Sequence, residues 1–301
     1  MMITTKAGAI YSAVGERSTQ QNGFYEQDDP ISEDGRFVAE EEYWADYYNH
    51  PDFSYEWNNG YLEEKPVSDF AQFRLYVWFL ALLKDFLYVH PIARMIGLET
   101  GFRLALPIKT TIRKPDLGIV LDSNPIPLGD KDRSYHGIFD LCIESLSDSS
   151  KNDVERDTVV KKQEYAAGGV SEYYILDEQG GETAFYQLRN GVYVPLPQQN
   201  GVIRSQVLPG FQFRLADLYR LPEPPVLLDD TVYQGFVSPF VRAERLRAEE
   251  AETRAEEAET RAKQEYQRAE QAELQLLRER QVVQRYIAQL EALGITPEPS
   301  E

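Results

Sequence analysis

Two acids and one lysine between Ile112 and Tyr174 are of the types, and in the order, that metal-assisted attack on a phosphate ester requires. Asp116 opens the apolar run Leu117-Gly118-Ile119-Val120-Leu121, entered through Arg113, Lys114 and Pro115. Glu144 closes a second run, Ile138-Phe139-Asp140-Leu141-Cys142-Ile143, and Lys161 follows on a segment of helical pattern. Two carboxylates on neighbouring strands are hard oxygen ligands suited to Mg2+ or Mn2+. A metal held there can activate water and stabilise the charge that builds up on a phosphate under attack. A lysine beside it can orient that water and add positive charge where the transition state needs it.

The elements that must position these groups follow from local pattern. Short runs of Ile, Val, Leu and Tyr bounded by Gly, Pro, Asn and Asp read as strands. Alternation along a strand puts Asp140, Cys142 and Glu144 on one side and Leu141, Ile143 and Ser145 on the other. Asp153 to Ala167 reads as a helix stopped by Gly168-Gly169. On it Val154, Thr158, Lys161 and Tyr165 are spaced four, three and four residues apart, which predicts one stripe facing the sheet. Lys161 would then point at the acids, with Lys162 on the flank as the alternative. A third strand, Glu172 to Asp177, follows at once.

Further short motifs accompany these residues in a fixed order. They are Glu56-Trp57-Asn58-Asn59-Gly60, Pro66-Val67-Ser68-Asp69, Lys114-Pro115-Asp116 and Asp140-Leu141-Cys142-Ile143-Glu144-Ser145-Leu146-Ser147. Lys161 stands four residues before Tyr165, and Gly169-Val170-Ser171-Glu172-Tyr173-Tyr174 and Leu208-Pro209-Gly210-Phe211 complete the set. Together they resemble the PD-(D/E)XK nucleases, and more closely a restriction-endonuclease family of unknown function that is abundant in cyanobacteria. The resemblance covers residues 38–220. It implies an α/β fold with a mixed β-sheet core flanked by helices, as in restriction endonucleases, and DNA as substrate. It also implies Asp116 and Glu144 as ligands of Mg2+ or Mn2+, Lys161 as the catalytic lysine displaced onto the helix, and Glu56 as an accessory acid. Read from position alone, Glu56 is equally a solvent-facing strand acid. The chain departs from the family pattern at Ala71, where a histidine is common, and at Tyr61 and Tyr174.

The chain of 301 residues has room for one substantial core and an appendage. The single cysteine, Cys142, cannot form an intrachain disulfide and points to a reducing compartment. With no apolar leader in Met1 to Gly23 and no run long enough to span a bilayer, the expectation is a cytoplasmic protein without a membrane partner. A net charge of −19 argues against indiscriminate nucleic-acid binding, though not against a local basic strip. Arg103, Lys109, Arg113, Lys114, Lys151, Arg156 and Lys162 could form one, but each reads more simply as solvated charge.

Along the chain, 1–36 reads as a poorly ordered extension and 37–220 as the α/β domain, beginning with an acidic helix over Phe37 to Asn49. Pro51 to Val67 predicts two strands turning at Asn58-Asn59-Gly60. Ser68 or Asp69 caps a helix to about Val89, with Phe70, Phe73, Val77, Leu80 and Leu87 on its apolar face and most of its surface buried. Gly101 to Leu106, the hairpin Glu182–Leu188 and Gly191–Leu196, Val202–Leu208 and Phe211–Leu215 complete the strands. A proline-rich linker is expected over 221–241.

Beyond it the character changes. Arg247-Ala248-Glu249-Glu250-Ala251-Glu252-Thr253 is repeated at once as Arg254 to Thr260 and more loosely afterwards. A period of seven with alanines, then Leu276, Val283, Tyr286 and Leu290, along one seam predicts a coiled coil over 242–293, a short tail over 294–301, and a homo-oligomer. Three functions are consistent with this reading. They are a metal-dependent DNA endonuclease, a nuclease-fold binding or scaffolding protein whose coiled coil is the working part, and a hydrolase of smaller phosphate esters.

Overall fold

Neighbouring apolar runs pair into the largest sheet of the molecule. Residues 30–147 and 150–294 are described by a computed structural model. The first 29 residues of the expected extension, Asp148, Ser149 and the tail beyond Gly294 lie outside the described residues. The central strands are β6 (Leu117–Leu121), β7 (Leu141–Ser145) and β8 (Glu172–Leu176). β3 (Ala93–Gly97) flanks β6, while β9 (Ala184–Arg189) and β10 (Val192–Pro195) continue beyond β8. The pair β7 and β8 is parallel and every other pair is antiparallel, so the sheet is mixed as expected. Its parallel step needs a crossover, which the helical segment carrying Lys161 supplies.

Both faces of the central strands are covered, so they read as continuous apolar runs. Leu117, Ile119, Leu141, Ile143, Tyr174 and Leu176 pack against α2 (Phe70–Val89). Val120, Cys142, Tyr173 and Ile175 pack on the other side with Tyr165. The Asp69 side chain caps α2 by accepting from Gln72 N at 2.8 Å. The buried face of α2 is Leu75, Phe79, Leu82, Leu83 and Phe86, not the expected one: Phe70, Phe73 and Val77 are exposed. Apolar residues occur around nearly the whole helix, and sequence periodicity could not show which arc meets the sheet.

A second sheet, wholly antiparallel, has the order β2-β1-β5-β4, from β1 (Tyr55–Asn58), β2 (Tyr61–Glu64), β4 (Phe102–Ala105) and β5 (Thr110–Arg113). The turn between β1 and β2 uses left-handed backbone at Asn59 (φ 49°) and Gly60 (φ 102°), as a two-residue hairpin demands. A β-carbon on Gly60 would lie 2.3 Å from the Phe37 ring, so glycine is needed there twice over. The aromatic side of the sheet packs on the π-helical turn Tyr43–Tyr47, which continues the short α1 (Glu40–Glu42), and on Val38 and Tyr48 beside it. Part of the extension is structured: Gly35 N and Val38 N donate to Leu62 O and Gly60 O, binding the chain to β2.

The remaining strands are β11 (Val202–Arg204) and β12 (Gln212–Arg214), paired as a ribbon and followed by α5 (Asp217–Arg220). The stretch 221–241 is not a linker. α6 (Pro224–Leu228) lies within it, and Leu227, Val232, Tyr233, Phe236 and Val237 are buried in the core beside α2. The prolines that suggested a linker start a short helix instead, Pro224 standing at its first turn. From Pro239 to Ala292 the chain is one helix of 54 residues, α7, with no buried residue. Among the described residues no helix is long and apolar enough to cross a membrane.

Candidate functional site

Antiparallel pairing of β6 with β7 sets Leu117 opposite Ile143. Asp116 stands at the bend just before β6, one residue beyond the paired register and beside the Glu144–Ser145 end of β7. Asp116 Oδ2 accepts from Ser145 N at 2.7 Å, which fixes the carboxylate across the mouth of the strand pair. Tyr76 reaches over from α2 and donates to Asp116 O at 3.1 Å.

Lys161 arrives from the crossover between β7 and β8. α3 (Lys151–Glu155) passes through a π-helical turn, Arg156–Lys161, into α4 (Lys162–Gly168). Gly169, at φ 88°, stops the helix as predicted. The inward line is Asp157, Lys161, Glu164 and Tyr165, all buried, while Val154 and Thr158 are half-buried. The expected stripe is therefore correct at Lys161 and Tyr165 and displaced before them, because the wider turn shifts the phase of the helix. Lys162 lies on the flank, its ammonium 3.9 Å from the centre of the Tyr186 ring.

The Lys161 ammonium sits 3.2 Å from Glu144 Oε1, 3.4 Å from Glu56 Oε1 and 2.9 Å from Asp157 Oδ1. Tyr165 OH donates to Glu144 Oε1 at 2.7 Å. Glu56 is fully buried, which rules out the solvent-facing reading. Its Oε1 accepts from Lys114 N at 2.7 Å and its Oε2 meets Arg113 at 3.0 Å. Arg113 in turn bonds Glu63 and Glu164, and Lys109 also reaches Glu164, so the charges form one chain through the sheet. Asp157 Oδ1 is buried without a hydrogen bond of good geometry, and its ion pair with Lys161 is what compensates it.

Three acids around one ammonium cannot all ionise at equal cost. Burial pushes the Glu144 carboxyl up to about 8, Asp157 and Asp116 add to the rise, and Lys161 offsets only part of it. Burial would raise Glu56 too, but Lys161 and Arg113 together hold it far below the carboxylate range. Burial opposes the charge on Lys161, yet Asp157, Glu144 and Glu56 keep its ammonium well above the usual lysine range.

Lys65 is a site residue that the sequence did not reveal. Its ammonium donates to Asp116 Oδ1 at 3.0 Å and to Lys114 O at 2.7 Å, with Glu99 Oε1 at 3.5 Å. Burial would lower its pKa, but Asp116, Glu99 and Glu144 raise it above the usual value. A lone lysine just past a strand carries no pattern that could have exposed it. Asp157 was more accessible to reasoning, since it precedes Lys161 by one helical turn. Glu99 and its neighbour Leu98 both hold left-handed backbone (φ 67° and 55°), costing about 1–2 kcal/mol each. Glu99 is held there by Lys65 and by a hydrogen bond from Ser54.

The basic residues that read as solvated charge are in part neither solvated nor free to form a strip. Arg113 and Lys114 are buried, Arg103 pairs with Glu40, and Arg156 pairs with Asp153. Asp116 is the partly open member of the site, its side chain 27 % exposed. A cleft of about 540 Å3 opens nearby between Asn58, Glu63, Glu64, Pro66, Arg156 and Val160, but Asp116, Glu144 and Lys161 do not line it.

A mixed sheet with two acids at neighbouring ends of adjacent strands, and a crossover helix turning a lysine onto one of them, defines an α/β domain with a carboxylate–lysine centre. Residues 40–216 match the family described as "Uma2: Putative restriction endonuclease", and the chain belongs to that family. Among solved structures it is similar to one titled a "putative nuclease belonging to DUF820" from Anabaena variabilis ATCC 29413. The identity there is 16 % and the TM-score 0.43, over 56 % of this chain and 90 % of that one. Among curated proteins none matches the chain.

Proposed function

We propose that the chain is a metal-dependent endonuclease that hydrolyses DNA phosphodiester bonds, with Asp116 and Glu144 as metal ligands and Lys161 as the catalytic lysine. The supporting observations are the hydrogen bond that Asp116 accepts from Ser145 N, next to Glu144, and Lys161 3.2 Å from Glu144. Among the described residues no three of His, Cys, Asp and Glu converge on a metal position. That suits Mg2+ or Mn2+ all the same, because Mg2+ keeps several waters and is bound through one or two carboxylates plus substrate phosphate.

A bound divalent ion would supply positive charge at the phosphate and a more reactive water near neutral pH. The residues themselves do the positioning. Ser145 N orients Asp116, Tyr165 orients Glu144, and Asp157 and Glu56 hold Lys161 in its charged form. Glu56 acts through Lys161 and Arg113, which makes it a positioning residue in this reading.

A second reading, a nuclease-fold binding or scaffolding protein, draws support from the engagement of Asp116: Lys65 is seated on Oδ1 and Ser145 N on Oδ2. Incubation with supercoiled plasmid and Mg2+ or Mn2+ separates the two. The endonuclease reading expects nicking that Asp116→Asn and Glu144→Gln each abolish and Arg103→Ala only weakens. No nicking by the folded wild type under either metal favours the scaffold, and nicking that survives both acid substitutions places the chemistry elsewhere.

A further inference from the structure

α7 runs unbroken for 54 residues, about 80 Å at 1.5 Å per residue, with no buried side chain. Its large apolar residues sit in solvent: Leu276, Val283 and Tyr286 are all more than half exposed. With Ala248 and Ala251 placed at heptad positions a and d, these three fall at a, a and d of later heptads. The flanking positions are sorted by charge. Through the repeats Arg247, Arg254, Arg261 and Arg268 all stand at g, and Glu252, Glu259 and Glu273 stand at e with Tyr266 among them, while Arg245 and Arg280 lie at e on either side of the repeats.

In a parallel pair of helices each g residue meets the e residue of the following heptad on the partner; in an antiparallel pair g meets g and e meets e. Parallel pairing in register therefore sets Arg247, Arg254 and Arg268 against Glu252, Glu259 and Glu273 of a second copy, and Arg261 against a tyrosine face. Antiparallel pairing centred on the repeats sets arginine against arginine and glutamate against glutamate, and over the full helix it matches Glu252 with Arg280 but leaves Arg254 and Arg261 facing Val282 and Gln275. We infer that α7 associates with α7 of a second copy of this chain as a parallel, in-register two-helix coil, so that both α/β domains stand at the same end.

Within the single chain, the ion pairs Arg254–Glu250 and Arg261–Glu257 occupy two of the g arginines with position c, and a guanidinium can serve both directions. Glu244, Glu265 and Glu279 stand at d, where each would face its own counterpart. They weaken the seam, so orientation is decided by the flanks and affinity by the apolar stretch from Leu276 to Leu290. Val282 at g and Ile287 at e widen that stretch. The inference does not depend on the endonuclease reading.

Sedimentation of the intact protein should give twice the 34.6 kDa chain mass. Glu265→Leu should lower the dimer dissociation constant roughly tenfold or more, since it removes a self-facing acid from both helices. Ala255→Cys and Val283→Cys, near opposite ends of the coil and each at position a, should both cross-link to themselves on oxidation. Wild type is the control, because its one thiol, Cys142, is buried. A monomer at high concentration, a trimer or tetramer, or failure of either cysteine variant to cross-link with itself in a protein that does dimerise would each overturn the inference.

Discussion

The same three residue types, Glu, Arg and Lys, dominate two regions of this molecule and do opposite things there. Around Lys161 they are buried, each charge touching two or three others at fixed distances. Along α7 they are solvated, joined by i,i+4 pairs such as Lys263–Glu259 whose side chains are both more than half exposed. Water screens the second set and leaves each pair worth a few tenths of a kcal/mol. In the first set every charge has given up its hydration and depends on its neighbours. A charge count over the sequence cannot tell the two apart.

Removing the central cation should break this contrast most severely. Lys161→Met leaves Glu56, Glu144 and Asp157 facing one another, and loss of one partner from a buried cluster costs about 3–5 kcal/mol. Urea unfolding should show that loss, and adding Glu144→Gln to the same chain should recover part of it. A loss below about 1 kcal/mol would mean that water reaches the cluster.

Next in size is the pH dependence of Glu144 in metal-free protein. Its folded pKa, about 8, lies above its unfolded value of 4.5, so the neutral form favours folding. That contribution is fully present below the unfolded value and is lost as the pH rises through 8. Glu144→Gln, which cannot ionise, should therefore gain thermal stability relative to wild type between pH 5 and pH 8 in chelator. A constant difference in Tm across that range would show that Glu144 is already ionised in the folded protein.

Lys65→Met should act more mildly on folding, because Asp116 is partly exposed and keeps its bond from Ser145 N. Its effect should appear when Mn2+ is added. With the ammonium gone from Asp116, the metal should raise the Tm of the variant more than that of wild type. Equal shifts would show that Lys65 does not compete for that carboxylate. The smallest effect is expected on α7, where Arg254→Met should change the stability of the α/β domain by no more than a few tenths of a kcal/mol. A larger change would mean that α7 contributes to the core after all.

Much of this architecture is legible in the sequence alone. The strands around Asp116 and Glu144, the hairpin at Asn59-Gly60, the Asp69 cap and the stop at Gly169 all follow from period, turn chemistry and capping. The features that escape depend on distance in space. β3, with Arg94 and Gly97 in a short mixed run, has no alternation and exists because it completes the edge beside β6. Segment 221–241 looks like a linker by its prolines and becomes core only because α2 presents Phe86 and Leu82 to it. Lys65 and Glu164 enter the charge network through side chains more than 50 residues away in sequence, where no spacing rule applies.

The π turn over Arg156–Lys161 also makes this stretch of helix tolerant of losing one residue. A π turn holds about one residue more than the α turn it replaces. Delete one residue within it, Val159 for instance, and the helix can close into regular α geometry while the turns on either side keep their relative facing, because the π turn already absorbs that one residue. Tyr165 and Gly169 would stay where they are, and Asp157, then three residues before the lysine, would still lie on its side of the helix. A deletion is ordinarily a coarse injury to a helix. In this stretch it would leave a more regular helix and a lysine that still faces its acids.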